Sequence, residues 1–333
     1  MKRSLCIVSE YNKDYSLIDL LQGSPKYDLK TILLTNTFDM PTFHIKNVTI
    51  INKTYIEYLD FFDAIYISNN CSQNIEKYLQ IAQKKGKLVN LYQQSESINP
   101  PLDKYYDINV PIFVIMGSNS NCGKNEVIMK ILQSMTHQNE KVAVISNYEN
   151  NDLLGYYRFP MDKIYNCKTT NERILVINHF LHEVIQKSQC SALLFSIPGG
   201  VCNPFFHCDC ESSILTYLVS KACSIDYLVY IVPGNMWEES YFKTINHSVS
   251  NLVSKSIDYW ILSSQIFDSP FFDNATNTND IPKIALLEDT MNKIYSGCCI
   301  ENSSMINSLT LGDDIVNDIV DKLHQQLDCY KIL

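Results

Sequence analysis

A strand, a glycine-bounded loop and a helix follow one another in the middle of this chain, and that succession limits the fold more than any other feature. The loop is Gly117-Ser118-Asn119-Ser120-Asn121-Cys122-Gly123-Lys124-Asn125; it follows the apolar run 111–116 and leads into a helical pattern over 124–137. Glycines let such a loop curl so that successive backbone N–H groups face inward, and the helix N-terminus adds positive potential. Lys124 supplies a cation able to neutralise β- or γ-phosphate charge. Residue 125 is where a small hydroxyl normally ligates Mg²⁺. The spacing therefore predicts a phosphate-binding loop, with each of these residues a candidate cofactor contact.

The rest of the chain alternates strands and helices around that loop. Strands are expected at 5–9, 29–34, 48–51, 64–67 and 88–91, with helices at 15–21, 54–60 and from Ser72 to Lys84. Strands separated by helices imply a parallel sheet with crossover connections. The glycine-rich dinucleotide fingerprint is absent after Ser9, where Glu10-Tyr11-Asn12-Lys13 stands instead. The first half is thus Rossmann-like in shape but not in cofactor binding. A polar stretch containing Asn99-Pro100-Pro101 reads as a linker. The expected organisation is a Rossmann-like α/β domain over 1–92, a linker over 93–109, and a P-loop NTPase-like α/β domain over 110–333. In the second domain, strands are expected at 111–116, 142–146, 192–197, 227–232, 259–262 and 283–287. Helices are expected at 124–137, 170–187, 213–223, 237–254 and 313–327.

Composition narrows the function classes. The net charge of −9 argues against broad nucleic-acid binding through phosphate neutralisation. The basic start meets Glu10, Lys13 and Asp14 too soon for a signal-peptide core. No run approaches the ~18–20 apolar residues that span a bilayer. A cytoplasmic location with reduced cysteines is the expectation, with neither nucleic acid nor membrane as partner.

Other clusters bring together chemically capable residues. Ser196-Ile197-Pro198-Gly199-Gly200 ends a central strand, and Gly199 and Gly200 admit a phosphate or substrate close to the backbone. Cys202, His207, Cys208 and Cys210 crowd together as soft ligands, but Cys208-Asp209-Cys210 is tighter than standard zinc spacing. No metal ligand is assigned, and metal at this cluster stays open. Cys298-Cys299 is a weaker pair. His179, His182 and Glu183 share one helix, either as an acid–base cluster or as a packing face. Asp209 and Glu211 stand as a base or metal ligand, and Pro233-Gly234-Asn235 and Ser263-Ser264-Gln265 end later strands. No catalytic residue is assigned.

Five residues separate Gly117 from Gly123. That spacing resembles the loop of dethiobiotin synthetase and of related α/β ligases and acyltransferase-like proteins. In that group the strand end corresponding to Ser196 carries an acid that helps hold metal, and a hydroxyl residue stands where this chain has Asn125. The chain also resembles a family of peptide maturation system proteins, found with bacteriocin-type peptide natural products in clostridia and relatives. The resemblance rests on Tyr11-Asn12-Lys13-Asp14-Tyr15, Val114-Ile115-Met116-Gly117-Ser118, Ile177-Asn178-His179-Phe180, Ser196-Ile197-Pro198-Gly199-Gly200 and Ser213-Ile214-Leu215-Thr216-Tyr217. It implies a nucleotide-binding accessory protein in the maturation of a ribosomally made peptide, using ATP or GTP with Mg²⁺. The partners it implies are peptide maturation enzymes or an acyl-carrier-like protein, with a homodimer also open. An acyl- or phosphoryl-transfer enzyme using CoA or ATP in the loop is the alternative, so enzymatic activity is undecided.

Overall fold

A computed structural model of the chain describes residues 3–9, 27–34, 49–51, 59, 61–67, 75–87, 104–118, 122–137, 140–147, 151–201, 210–233, 239–263, 265–267, 283–285, 304–307 and 321. The chain divides into two compact units. Unit 1 comprises Met1–Glu96 and Tyr148–Tyr156; unit 2 comprises Ser97–Asn147 and Tyr157–Leu333.

Unit 1 carries a four-stranded sheet of β1 (Arg3–Ser9), β2 (Tyr27–Leu34), β3 (Thr49–Ile51) and β4 (Ala64–Ile67), in the order β3-β2-β1-β4. Every pairing is parallel. This is half of a doubly wound sheet. Helix α1 (Ile75–Lys84) follows β4, and its Tyr78 and Ala82 are buried with Cys6, Ile65 and Ile67. Gly86, at φ +64, ends that helix in the left-handed conformation glycine adopts readily. The helix expected at 15–21 and the strand at 88–91 lie outside the described residues, as do all but one residue of each of the helices expected at 54–60 and 313–327.

Unit 2 holds a seven-stranded sheet in the order β13-β10-β9-β5-β8-β6-β7. Its strands are β5 (Ile112–Gly117), β6 (Val142–Ser146), β7 (Tyr157–Arg158), β8 (Ala192–Ser196), β9 (Tyr227–Pro233), β10 (Tyr259–Ser263) and β13 (Ser304–Asn307). All pairings are parallel. The α/β fold with parallel sheets is therefore as the alternation implied. Every residue of β5 and of β8 is buried, the mark of strands covered on both faces. Their apolar runs permit this, with Ser196 at the end of β8 the one polar side chain in them. Outside both sheets, β11 (Gln265–Phe267) and β12 (Lys283–Ala285) form an antiparallel pair. The strand expected at 283–287 thus pairs antiparallel, away from the main sheet.

The helices of unit 2 include α2 (Lys124–His137) and, after the short α3 (Asn151–Leu154) of unit 1, α4 (Met161–Asn166), α5 (Thr170–Ser188), α6 (Cys210–Ala222) and α7 (Glu239–Val253). Helix α5 opens on a capping box: Thr169 accepts from the Glu172 N–H while Glu172 accepts from the Thr169 N–H. Helix α7 lays Phe242 edge-on against Trp260 of β10, with ring centroids 4.9 Å apart, and Trp260 in turn meets Tyr230 of β9 at 5.3 Å. Among the described residues no helix is long and apolar enough to cross a membrane.

Two buried thiols give the fold a pH dependence. Burial pushes Cys6 of unit 1 from 9.0 up to about 12, and burial, with a smaller push from Asp226, does the same to Cys223 of unit 2. The folded state therefore keeps protons that the unfolded chain releases. Stability is fully present below pH 9.0 and falls as pH rises from there toward about 12. Urea unfolding at stepped alkaline pH should show this decline, and it should be shallower in the Cys6→Ala/Cys223→Ala variant. An identical slope in the variant would remove the thiols as its cause.

Candidate functional site

Strand order decides where a site belongs in unit 2. From β5 the chain proceeds to β6, β7 and β8 on one side, and then to β9, β10 and β13 on the other. The direction of winding reverses at β5, and in open α/β sheets ligands bind at the carboxyl ends of the strands where such a reversal occurs. The residues that follow β5 there are the glycine–lysine loop.

The loop is pinned at both ends. Gly117 closes β5, and the Ser118 N–H donates to Ile231 O at 3.1 Å. Gly117 also has to be glycine: a Cβ there would overlap Cys122 Sγ and lie 3.3 Å from Ile231 O. The buried sulfur of Cys122 thus fills the space a side chain would occupy. Gly123 takes φ +96, which non-glycine residues rarely adopt, and Lys124 then begins α2. Asn119, Ser120 and Asn121 lie outside the described residues. Asn125 is half-buried in the first turn of α2. The Gly117→Ala variant should lose about 1–3 kcal/mol of stability through overpacking. Adding Cys122→Ala should restore most of the loss, as a double-mutant cycle by urea unfolding would measure. Additive effects would show that the sulfur is not the obstacle.

Lys124 joins the loop to the end of β8. Its side chain is only 6% exposed, yet it sits at a helix N-terminus rather than in an apolar core. The ammonium donates to Gly199 O at 2.9 Å and lies 3.8 Å from Cys122 Sγ. Gly199 has φ +73, and a Cβ on it would overlap Ser212 Oγ of α6. The turn after β8 is also tied to β5 and β9. The Ile197 N–H donates to Ile115 O, the Val201 N–H donates to Gly117 O at 3.0 Å, and Tyr230 Oη donates to Val201 O at 2.6 Å. Gly117, Gly199 and Lys124 are therefore held in one place, and the buried Gly200 lies in the same turn. A buried ammonium beside a helix N-terminus makes this a region of positive potential suited to an anion.

Sequence reasoning did not find Ser212, Tyr230 or Tyr241. Ser212 fills the space beside Gly199, and Tyr230 anchors the turn through its hydroxyl. Tyr241 of α7 is buried near Ser118. Burial pushes its phenol up, so it stays neutral. These three come from helices and strands distant in sequence, and their spacing carries no signal of the meeting.

The helix carrying His179 and His182 serves a different purpose from acid–base chemistry. Tyr106, in the strap that leads into β5, stacks on His182 with centroids 4.0 Å apart and meets His179 edge-on at 4.7 Å. His179 Nε2 lies 2.5 Å from Lys104 O. Asn178 accepts from the Tyr106 N–H and donates to Tyr106 O and Ala222 O, each at 2.8 Å. This is the packing face that the spacing also allowed, and it belongs to residues just before the starts of β5 and β9, at the edge opposite the loop.

Most of the remaining candidates fall on residues the structure does not describe. Cys202, His207, Cys208, Asp209, Gly234, Asn235, Ser264, Cys298 and Cys299 lie outside the described residues. Cys210 and Glu211 begin α6, Pro233 ends β9 and Ser263 ends β10. Among the described residues, no group of three or more His, Cys, Asp or Glu is placed to hold a metal. Two of the described groups beside the loop bear on Mg²⁺ binding. That ion wants hard oxygen ligands, usually with carboxylate among them. Here Asn125 offers an amide, and Ser196, 4% exposed, offers a hydroxyl at the end of β8.

No family model and no curated protein matches the chain. Among solved structures, it is similar to a DUF1611 family protein from Anabaena variabilis, with TM-score 0.61 and 10% identity over 96% of this chain and 100% of that one. A pseudomurein peptide ligase type C from Methanothermus fervidus has TM-score 0.27 and 12% identity, over 78% of this chain and 44% of that one. The 54 kDa signal recognition particle protein from Aeropyrum pernix, in complex with GDP, has TM-score 0.34 and 13% identity, over 78% of this chain and 56% of that one. The first likeness establishes a shared fold over nearly the whole chain. The other two are too distant to carry an argument.

Proposed function

We propose that unit 2 binds a nucleotide through residues 117–125, and that the chain acts as a nucleotide-binding accessory to enzymes that mature a ribosomally made peptide. The observation that carries the nucleotide half is Lys124. Lys124 is only 6% exposed, and its ammonium is costly to bury at the start of α2. Its position at the reversal point of the sheet puts that charge where an anion would bind. The Gly199 carbonyl then serves as its partner until a phosphate oxygen replaces it. Close approach of a phosphate is helped by glycine at 123, and backbone N–H groups at the head of α2 supply further donors. The peptide-maturation half rests on the motif resemblance, including Ile177-Asn178-His179-Phe180 and Ser213-Ile214-Leu215-Thr216-Tyr217.

Titration calorimetry of the full chain with ATP, GTP and CoA, paired with a phosphate-release assay, tests this reading. A nucleotide that binds with slow or no turnover, whose turnover rises with a maturation enzyme, is the expected result. CoA binding in preference to both nucleotides would turn the reading to acyl transfer. Failure of all three to bind would end it.

A further inference from the structure

The outer face of α6 departs from the rule that a surface helix turns polar residues to water. Ile214 and Tyr217, neighbours on that face, are 50% and 40% exposed. One turn further on, the exposed Lys221 holds its ammonium 5.3 Å from the centre of the Tyr217 ring. The strap that leads into β5 adds a second ring at that end of the helix. Its Tyr105, 50% exposed, donates from the hydroxyl to Lys221 O at 3.1 Å. None of these groups is needed for the inner face of α6, because Leu215, Leu218, Val219 and Ala222 supply its contact with the core. Helices α5 and α7 both pack against α6. Every exposed position described on them is polar, as at Gln186 and Lys187 of α5 and Lys243 and His247 of α7. The apolar stripe therefore belongs to α6 and the strap, and it marks a contact surface.

We infer that two copies of the chain pair along this stripe, with α6 of one lying antiparallel on α6 of the other. This goes beyond the nucleotide reading and does not depend on it. A two-fold contact has to be self-complementary, so that each copy receives what it presents. The stripe meets that condition. Residues 210, 214, 217 and 221 recur at alternating steps of four and three, which keeps them on one helix face. In an antiparallel seating centred between 214 and 217, Ile214 lies against the partner's Tyr217 and Tyr217 against the partner's Ile214. The same register carries Lys221 to the first turn of the partner's α6, where the sequence has Glu211. One arrangement thus gives two aliphatic–aromatic contacts and two meetings of opposite charge, whereas a parallel seating would set Lys221 against its own copy. Each chain has a net charge of −9, so copies avoid like-charge repulsion best where acids are absent, as they are from Ser212 to Ala222. At the Lys221 end the strap contributes Lys104 and Asp107, which cancel and leave Lys221 to set the sign.

The test is sedimentation velocity of the full chain over a dilution series. The wild type should pass from dimer to monomer on dilution, since an interface built on one helix from each copy is small, about 1,200 Å² or less. Ile214→Ser/Tyr217→Ser should weaken the dimer by about a hundredfold or more, because symmetry removes every contact twice. Both positions are exposed, so this variant should keep the wild-type urea midpoint. Lys221→Glu and Glu211→Lys should each weaken the dimer by about three- to tenfold, and the two changes together should restore it. A monomer at every concentration overturns the inference, as does a dimer whose constant the serine variant leaves unchanged. A charge reversal that restores nothing overturns the antiparallel seating.

Discussion

Replacing Lys124 by alanine is expected to weaken binding of the nucleotide by roughly ten- to hundredfold. A hydrogen bond to a charged partner contributes about 1.5–3 kcal/mol, and about 1.4 kcal/mol corresponds to a factor of ten in affinity. Lys124 is the loop's only cationic side chain, so no neighbour within 117–125 can replace its charge. The effect should appear in affinity rather than in folding. Lys124 is 6% exposed, so its charge carries a desolvation cost that its bond to Gly199 O helps to offset. Lys124→Met separates the two contributions, because it keeps the apolar stem in place and removes only the charge. Both variants should unfold in urea near the wild-type midpoint while calorimetry records the lost affinity. Wild-type affinity in either variant would refute the assignment of Lys124 to the phosphate.

That expectation was legible in the sequence because each part of the loop has a local signature. The apolar run of β5 signals burial on both faces, Gly117 and Gly123 bracket the turn, and the helical pattern starts at Lys124. The departures at Asn125 and Ser196 were equally plain, since they are single residues at known positions in a motif. The partners of the loop were not legible. Ser212 meets Gly199 because α6 crosses behind the turn, and Tyr230 reaches Val201 because β9 lies beside β5. Both facts are consequences of strand order, which periodicity does not encode. Strand β13 shows the same limit: Ser304-Met305-Ile306-Asn307 is too short and polar to announce itself, and its place is fixed by pairing with β10. The short α4 was missed for a related reason, since its six residues are too few to display a helical period.

The pair His179 and His182 illustrates how a spacing can suggest chemistry that the fold uses for packing. An i,i+3 pair on one helix face tells which residues are neighbours, not what lies opposite them. What lies opposite is the strap around Tyr106, 72 residues earlier in the chain than Asn178. The resemblance motif Ile177-Asn178-His179-Phe180 is thereby accounted for by architecture: Ile177 and Phe180 face the core, and Asn178 and His179 hold the strap.

Asn178→Ala should therefore be among the most destabilising single substitutions in unit 2, at about 2–4 kcal/mol. Asn178 is fully buried and its amide is held by three backbone groups: the Tyr106 N–H, Tyr106 O and Ala222 O. Truncation leaves all three without their partner, at roughly 1–3 kcal/mol for each that water cannot reach. Tyr106 is half-buried, so water can recover part of its loss, which keeps the total below a simple sum. Asn178→Asp should be at least as damaging at neutral pH, because a carboxylate keeps the acceptor for Tyr106 N but faces two carbonyl oxygens where two donors had been. Nucleotide affinity measured under folding conditions should change little in either variant. The groups that Asn178 joins precede β5 and β9, whereas the glycine–lysine loop follows β5 at the other edge of the sheet. Urea unfolding and calorimetry on the same samples separate the two outcomes. A variant with wild-type stability and lost affinity would place Asn178 in the ligand site and refute its role as a clamp on the strap.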